Sequence, residues 1–493
     1  MFHVTSPEEA GISSRHVHTF IDALERRQIH MHSVLLARGS SLFAEYYWAP
    51  FHRDFPHRMY SETKSYVSVA IGLLLEDGAL SLDDRIADHF PEKHADSLPP
   101  ALSAQTVRET LTMTTVGGYR NWFTAGDPDR THLYFDREAA LHPAGTVWDY
   151  DSAGSQVLCA LVEKLAKKSL FDFLYERILQ KLGTFQNATI LKTPNGDTWG
   201  DSALVCTPRD MLSFGRFLLN YGTVKGERLM SEAYLREATS RLVDNSAHAH
   251  GGVLSHGYGY QFWRVERDGF GLIGMGNQLT LCLPREDLIF VCTADTQGSA
   301  TAREYIITQF LDRIASNVED APLAENKEAL TALTEAASRL ALFAVKGAAD
   351  APYRERVNGV RYACRENSMG MKEFTLRFDG NKGGTLLYEN ANGKMELPFL
   401  INQNLFGKFP ELGYSDGVGG VRTTNGFRYD DAVSAAWLDN SRFRIFVQII
   451  DRYFGNTTLT FSFKDDVAVL SATKAAEDFL WNYEGEAVAY AEG

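Results

Sequence analysis

One stretch constrains this chain more than any other: HRMYSETKSYVSVAIGLLLEDGALSLDD, from His57 to Asp84. Its pattern predicts a helix from about Ser61 to Asp77 that stops at Gly78. Tyr66, Val67, Val69, Ala70, Ile71, Leu73, Leu74 and Leu75 make that helix apolar nearly all round. Such a helix must lie inside the protein, so the fold has to wrap other elements around it. Its first turn nevertheless carries Ser61, Glu62, Thr63 and Lys64.

Residues i and i+3 share a helix face, so the Ser61 hydroxyl and the Lys64 amine can meet. A lysine desolvated in a buried first turn gives up its proton more readily and can act as a base. A serine at a helix N-terminus also points its own amide outward, toward any oxyanion formed there. These are the parts of a Ser-Lys nucleophile. The alternative is an N-cap serine beside a solvated lysine. By itself S-x-x-K is a weak signal, expected about once by chance in a chain of this length. A second copy, Ser471-Ala-Thr-Lys474, serves as an internal control, since it sits in a β-rich region with no buried helix.

The company of the first copy is more specific. HPAGTVWDYDSAGSQVLCALVEKLAKKSLFDFLYERI places Tyr150-Asp151-Ser152 before a helix predicted over about Ala153–Leu165. With SPEEAGIS, LSLDD, VRETLTMTT, PAGTVWDY and TPRDMLSFGRFLLNYG in the same order, the chain resembles the serine β-lactamase and penicillin-binding protein superfamily. Within it, the likeness is to the class C β-lactamase and family VIII esterase branch, over about Pro7 to Ala315. The resemblance implies an α/β (α+β) fold, an antiparallel sheet flanked by helices with a helical subdomain. It also implies Ser61 as nucleophile, Lys64 as its general-base partner and Tyr150 as the phenol that shuttles the proton. Met275-Gly276-Asn277 aligns with the family's K-T-G, so the oxyanion hole would be the backbone amides of Ser61 and Gln278. Ser152 stands where the family has asparagine, Met275 where it has lysine or histidine, and Asn277 where it has glycine. Of the four substrate-positioning places, Ser152, Met275, Gly276 and Asn277, the departures at Ser152, Met275 and Asn277 weigh against penicillin-type recognition.

The expected reaction is hydrolysis of an ester, amide or peptide bond through an acyl-enzyme. The competing expectations are a true β-lactamase or D-amino-acid peptidase, and a catalytically silent binding protein that retains the fold. No metal or organic cofactor is required. Three H-x-H pairs, His16/His18, His30/His32 and His248/His250, have no evident carboxylate or thiolate company and are read as solvated surface. His256 and Trp122 are candidate cleft residues, with loop and core packing as their alternatives.

Composition narrows the partners. Lys+Arg 49 against Asp+Glu 63 gives a net charge of −14, which argues against nucleic acid. No apolar run approaches the roughly 18–20 residues a bilayer demands, so no membrane partner is expected. Five scattered cysteines without C-x-x-C, and a start lacking an apolar signal segment, point to a cytoplasmic protein with reduced thiols. The expected partner is a small-molecule or peptide substrate.

The texture predicts three regions. Residues 1–316 form the hydrolase domain, with a hairpin at His32–Trp48, strands Leu279–Leu283 and Leu288–Thr293, and a helix Ala300–Ile314. Strands at both ends suggest one sheet shared between them. Residues 317–350 read as a helical linker, and 351–493 as an antiparallel β-barrel or sandwich. Capping a cleft, homodimer formation and simple stabilisation are all open to that late domain.

Overall fold

Strands from both ends of the first 300 residues meet in one sheet, because each carries apolar side chains on both faces and needs cover above and below. The computed structural model describes all residues except 1, 95–97, 119–126, 137–139, 194, 248–251, 413–427, 452–453, 477–482 and 493. The described chain divides into two compact units. The first runs to Thr296 and includes Ala300–Ala341; the second holds Gln297–Ser299 and the residues from Leu342 onward.

In the first unit the strands are β1 (His3–Val4), β2 (Met31–Arg38), β3 (Ser41–Tyr47), β4 (Trp263–Val265), β5 (Gly269–Gly274), β6 (Gln278–Leu283) and β7 (Leu288–Ala294). Their order is β1-β3-β2-β7-β6-β5-β4, antiparallel except where β1 joins β3. The predicted hairpin is β2–β3, turning at Gly39–Ser40, and β2 pairs with β7 as the shared sheet requires. Period-two alternation sends Leu35, Ala37, Ile289 and Val291 to one core and Val34, Leu36, Phe290 and Cys292 to the other.

The helices in the first core include α2 (Thr63–Glu76), α3 (Ser152–Ala166) and α4 (Pro208–Leu219). The second core is closed by α1 (Ser14–Arg26), α5 (Ala302–Arg313) and α6 (Lys327–Ala337). Every residue of α2 from Thr63 to Leu74 is buried, as its all-round apolar character demands. Thr207-Pro208-Arg209-Asp210 starts α4 with a capping box, a device worth about 1 kcal/mol. In the stretch read as a linker, α6 ends at Ala337 and packs its buried Leu333 into the second core.

The second unit closes as a barrel. Its strands are β8 (Arg361–Cys364), β9 (Glu373–Asp379), β10 (Gly383–Asn390), β11 (Gly393–Ile401), β12 (Leu405–Lys408), β13 (Asp430–Trp437), β14 (Arg442–Ile450), β15 (Phe454–Lys464), β16 (Val467–Ala476) and β17 (Gly485–Glu492). The ring β11-β10-β9-β8-β17-β16-β15-β14-β13 is sealed by a parallel pairing, Leu400 with Ser434 and Ile401 with Ala435. The short β12 adds to β13 outside the ring. Trp437, ringed by Phe378, Phe443 and Phe463, fills the interior.

One expectation is corrected. His30 and His32 are not solvated: His32 is buried, stacks on Phe51 at 3.9 Å, and its Nδ1 lies 3.2 Å from His57 Nε2. Burial pushes His32 well below the usual imidazole range, His30 down to about 4 and His57 to about 3. The alternation of β2, which carries His32 inward, outweighs the polarity of the ring. His248, His250 and Trp122 lie outside the described residues. All five cysteines are free thiols, four of them buried. No helix among the described residues is long and apolar enough to cross a membrane.

Candidate active site

The helix does not begin at Ser61 as the pattern predicts; a tight 3-10 turn over Tyr60–Glu62 precedes α2. Tyr60 adopts φ 48°, a left-handed conformation that costs a non-glycine residue about 1–3 kcal/mol. The surroundings hold it there. The Arg58 guanidinium sits over the Tyr60 ring at 4.5 Å and over Trp199 at 4.3 Å, and its Nε donates to Ser202 O at 3.0 Å. Thr63 Oγ1 donates to Tyr60 O (2.7 Å) and accepts from Leu204 N (3.0 Å), while Met59 N donates to Leu204 O at 2.7 Å. The loop around residues 200–204 is thus stitched to the turn that carries Ser61.

Ser61 is half-buried, whereas Lys64 behind it is only 1% exposed. Lys64 Nζ reaches Ser61 Oγ at 3.0 Å, donates to Asp201 O at 2.7 Å, and lies 3.9 Å from Asp201 Oδ2. It also stands 5.1 Å from the centre of the Tyr150 ring. The three sequence-predicted residues therefore converge. Tyr150 stacks on Trp263 (5.5 Å, 20° between planes), and Trp148 and Tyr258 complete an aromatic wall. Asp151 caps α3: its carboxylate accepts from Gly154 N at 2.9 Å and Thr115 Oγ1 at 2.8 Å, which anchors the residue after Tyr150.

The hairpin β5–β6 closes the other side. A Cβ on Gly274 would lie 2.1 Å from Met59 O, so only glycine lets the strand end approach the turn. Thr280 Oγ1 meets the Glu62 carboxyl at 3.3 Å. Gln278, the first residue of β6, pairs across the hairpin with Gly274. Gly276 (φ 72°) and Asn277 (φ 68°) form the connecting turn, and Met275 is exposed at its tip. Met275-Gly276-Asn277 thus occupies a turn, with Gln278 starting the strand. Asn277 is buried, donates to Thr296 Oγ1 at 2.5 Å and accepts from Arg303 Nε at 3.1 Å. Ser152, half-buried as the first residue of α3, makes none of the described contacts to Lys64. His256 is partly exposed and faces Glu266 at 4.0 Å.

Four participants were not foreseen. Asp201 faces Lys64, and the start of α5 supplies Arg303. Gln261 is a buried hub: its O accepts from Ser65 Oγ (2.6 Å), its Oε1 from Ser155 Oγ (2.6 Å), and its Nε2 donates to Leu111 O (2.9 Å). Trp263 carries the Tyr150 ring. The tract WGDSALVCT held the one available signal, an acid in an otherwise buried apolar run.

Burial sets the electrostatics. Asp201 is raised above the usual carboxylate range by desolvation, a rise opposed by Lys64, Arg130 and Arg58. Desolvation also raises Glu62 well above that range, opposed by hydrogen bonds from Thr280. Arg130 is lowered to about 10 by burial, with Asp201 and Asp127 opposing. Arg303 is lowered by burial, and Tyr150 counteracts this. Two cationic side chains, Lys64 and Arg303, therefore bear on Tyr150. A hydroxyl, an amine and a phenol gathered at a half-open turn can carry a nucleophile, hold its proton and return it.

The Beta-lactamase family profile matches residues 18–311. The chain is 26% identical over 290 residues to the 6-aminohexanoate-dimer hydrolase of Paenarthrobacter ureafaciens, covering 52% of this chain and 70% of that protein. Among solved structures it resembles a candidate 6-aminohexanoate-dimer hydrolase from Bacillus anthracis (TM-score 0.54, 18% identity, 65% of this chain and 88% of the other). A penicillin-binding protein homologue from Caulobacter crescentus is similar at TM-score 0.51 and 16% identity, covering 62% of this chain and 97% of the other. With its sheet, its central helix and a family match across most of the first unit, the chain belongs to the beta-lactamase family of hydrolases.

Proposed function

We propose that the protein is a serine hydrolase that cleaves an ester, amide or peptide bond through an acyl-enzyme on Ser61. The observation that carries this reading is the 3.0 Å contact between Lys64 Nζ and Ser61 Oγ inside a buried turn. Ser61 Oγ attacks the substrate carbonyl carbon as its proton leaves toward the Lys64–Tyr150 pair. The oxyanion is held by the backbone N–H groups of Ser61 and Gln278, each such donor worth about 3 kcal/mol. Tyr150 returns the proton to the departing group, and water then releases the acyl chain. Ser152, Met275, Gly276 and Asn277 border the substrate.

Met275 favours substrates other than penicillins, because it offers no charge to a β-lactam carboxylate at that place. The relative named for 6-aminohexanoate-dimer hydrolysis supports an amide of simple aliphatic units among the candidates. Hydrolysis of nitrophenyl acetate tests the reading. Ser61→Ala should abolish it, and a variant that keeps the full rate would exclude the mechanism.

A further inference from the structure

Around Lys64 the structure places something the nucleophile turn alone does not need, a buried carboxylate. Asp201 Oδ2 lies 3.9 Å from Lys64 Nζ, with side-chain exposures of 3% and 2%. The Asp201 backbone is held from two sides, by Gln156 Oε1 accepting from Gly200 N (2.8 Å) and by Arg58 Nε donating to Ser202 O (3.0 Å). The backbone that carries the carboxylate is therefore fixed; Oδ1 is buried with no hydrogen-bond partner among the described residues, and Oδ2 is the oxygen turned to Lys64.

The groups that face Lys64 and Asp201 come from five elements. Ser61 belongs to the turn before α2, Asp201 to the loop before Leu204, and Tyr150 to the segment before α3. Arg130 begins the short helix Arg130–Phe135, and Arg58 lies on the strand His57–Arg58; both bear on Asp201. Without the carboxylate, three cationic side chains would share one buried neighbourhood. Acceptors surround Lys64 Nζ: Ser61 Oγ, Asp201 O, Asp201 Oδ2 and the face of Tyr150. That set suits three N–H donors better than a lone pair.

We propose that Asp201 is a positioning residue whose carboxylate holds Lys64 as the ammonium, so that Lys64 donates to Ser61 rather than accepting its proton. This rests on the acyl-enzyme reading above and settles which group is the base in it. The Ser61 O–H bond breaks as the bond from Oγ to the carbonyl carbon forms. The proton goes to Tyr150 Oη, entering as phenolate, and from the phenol to the leaving group.

The test is an NMR titration of the full chain labelled at lysine Cε, with Lys64 assigned from Lys64→Arg. Asp201→Asn removes the counter-charge and should move the Lys64 midpoint down by about one pH unit or more. Arg130→Gln removes an opposing cation and should move it up. An unchanged midpoint in either folded variant overturns the proposal, and if Asp201→Asn does not fold, Arg130→Gln decides alone. Fluorophosphonate labelling of the same samples separates the two readings. No adduct on wild-type Ser61 refutes the hydrolase reading, whereas a normal adduct with an unmoved Lys64 midpoint refutes the role of Asp201 alone.

Discussion

Gly274→Ala adds one methyl group where the structure has no room for it. Its carbon would stand 2.1 Å from Met59 O, although real contacts of this kind are not found under 3.0 Å. The obstacle is main chain and cannot rotate aside, so β5 and the turn must part by about 0.9 Å. Met59 O accepts the Glu62 amide at 3.2 Å and so closes the turn that carries Ser61. A shift near 1 Å in the nucleophile lowers turnover by about 100-fold. The overpacking itself costs about 1–3 kcal/mol. Gly271→Ala on the same strand is the control, because its methyl meets the flexible tip of Leu281, Cδ2 at 2.5 Å. Stopped-time labelling of Ser61 by a fluorophosphonate, alongside urea unfolding, reads both quantities. If Gly274→Ala, like the control Gly271→Ala, labels within about threefold of wild type, the strand end does not position the turn and the reasoning fails.

Further outcomes follow from other parts of the molecule. Lys64→Ala and Tyr150→Phe should each lower ester hydrolysis by about 100-fold or more while the chain stays folded, checked by circular dichroism. Ser471→Ala should leave both labelling and turnover unchanged, because on a strand residues i and i+3 point to opposite faces. The histidine pair predicts a pH effect. Because their folded values lie below the unfolded value near ~6.5, His57 and His32 contribute stability that is present above that pH. That stability drains as the pH falls, by about 1.4 kcal/mol per unit for each ring. His57→Gln should flatten the loss between about pH 6.5 and pH 4 in urea titrations; an unchanged slope would show that the pair is not the source. Glu62→Gln should keep the Ser61 label and be at least as stable at pH 8 by urea unfolding, since burial works against the charge it removes.

The central helix was legible because its apolar positions leave no face for water, and the i,i+3 reach from Lys64 to Ser61 survives although Ser61 lies in the 3-10 turn before the helix. The two sheet ends were legible from strand alternation, as β2 and β7 carry apolar residues on both faces. Barrel closure was not, because the seal between β11 and β13 is a parallel pairing remote in sequence, and alternation fits a sandwich equally well. The predicted start of α2 missed the 3-10 turn, since Tyr60 takes its left-handed backbone from tertiary packing against Arg58. Asp201, Gln261 and Arg303 act through contacts spanning 26 to 196 residues, which no local pattern encodes. His32 misled for a related reason: an H-x-H pair without carboxylate or thiolate company reads as surface, but the strand turns that ring inward against Phe51.

Intact-mass measurement after exposure to a fluorophosphonate tests the account most directly. A single adduct that maps to Ser61 and disappears in Ser61→Ala is the predicted result. A wild-type protein that stays unmodified, or a Ser61→Ala variant that still gains the adduct, would contradict it.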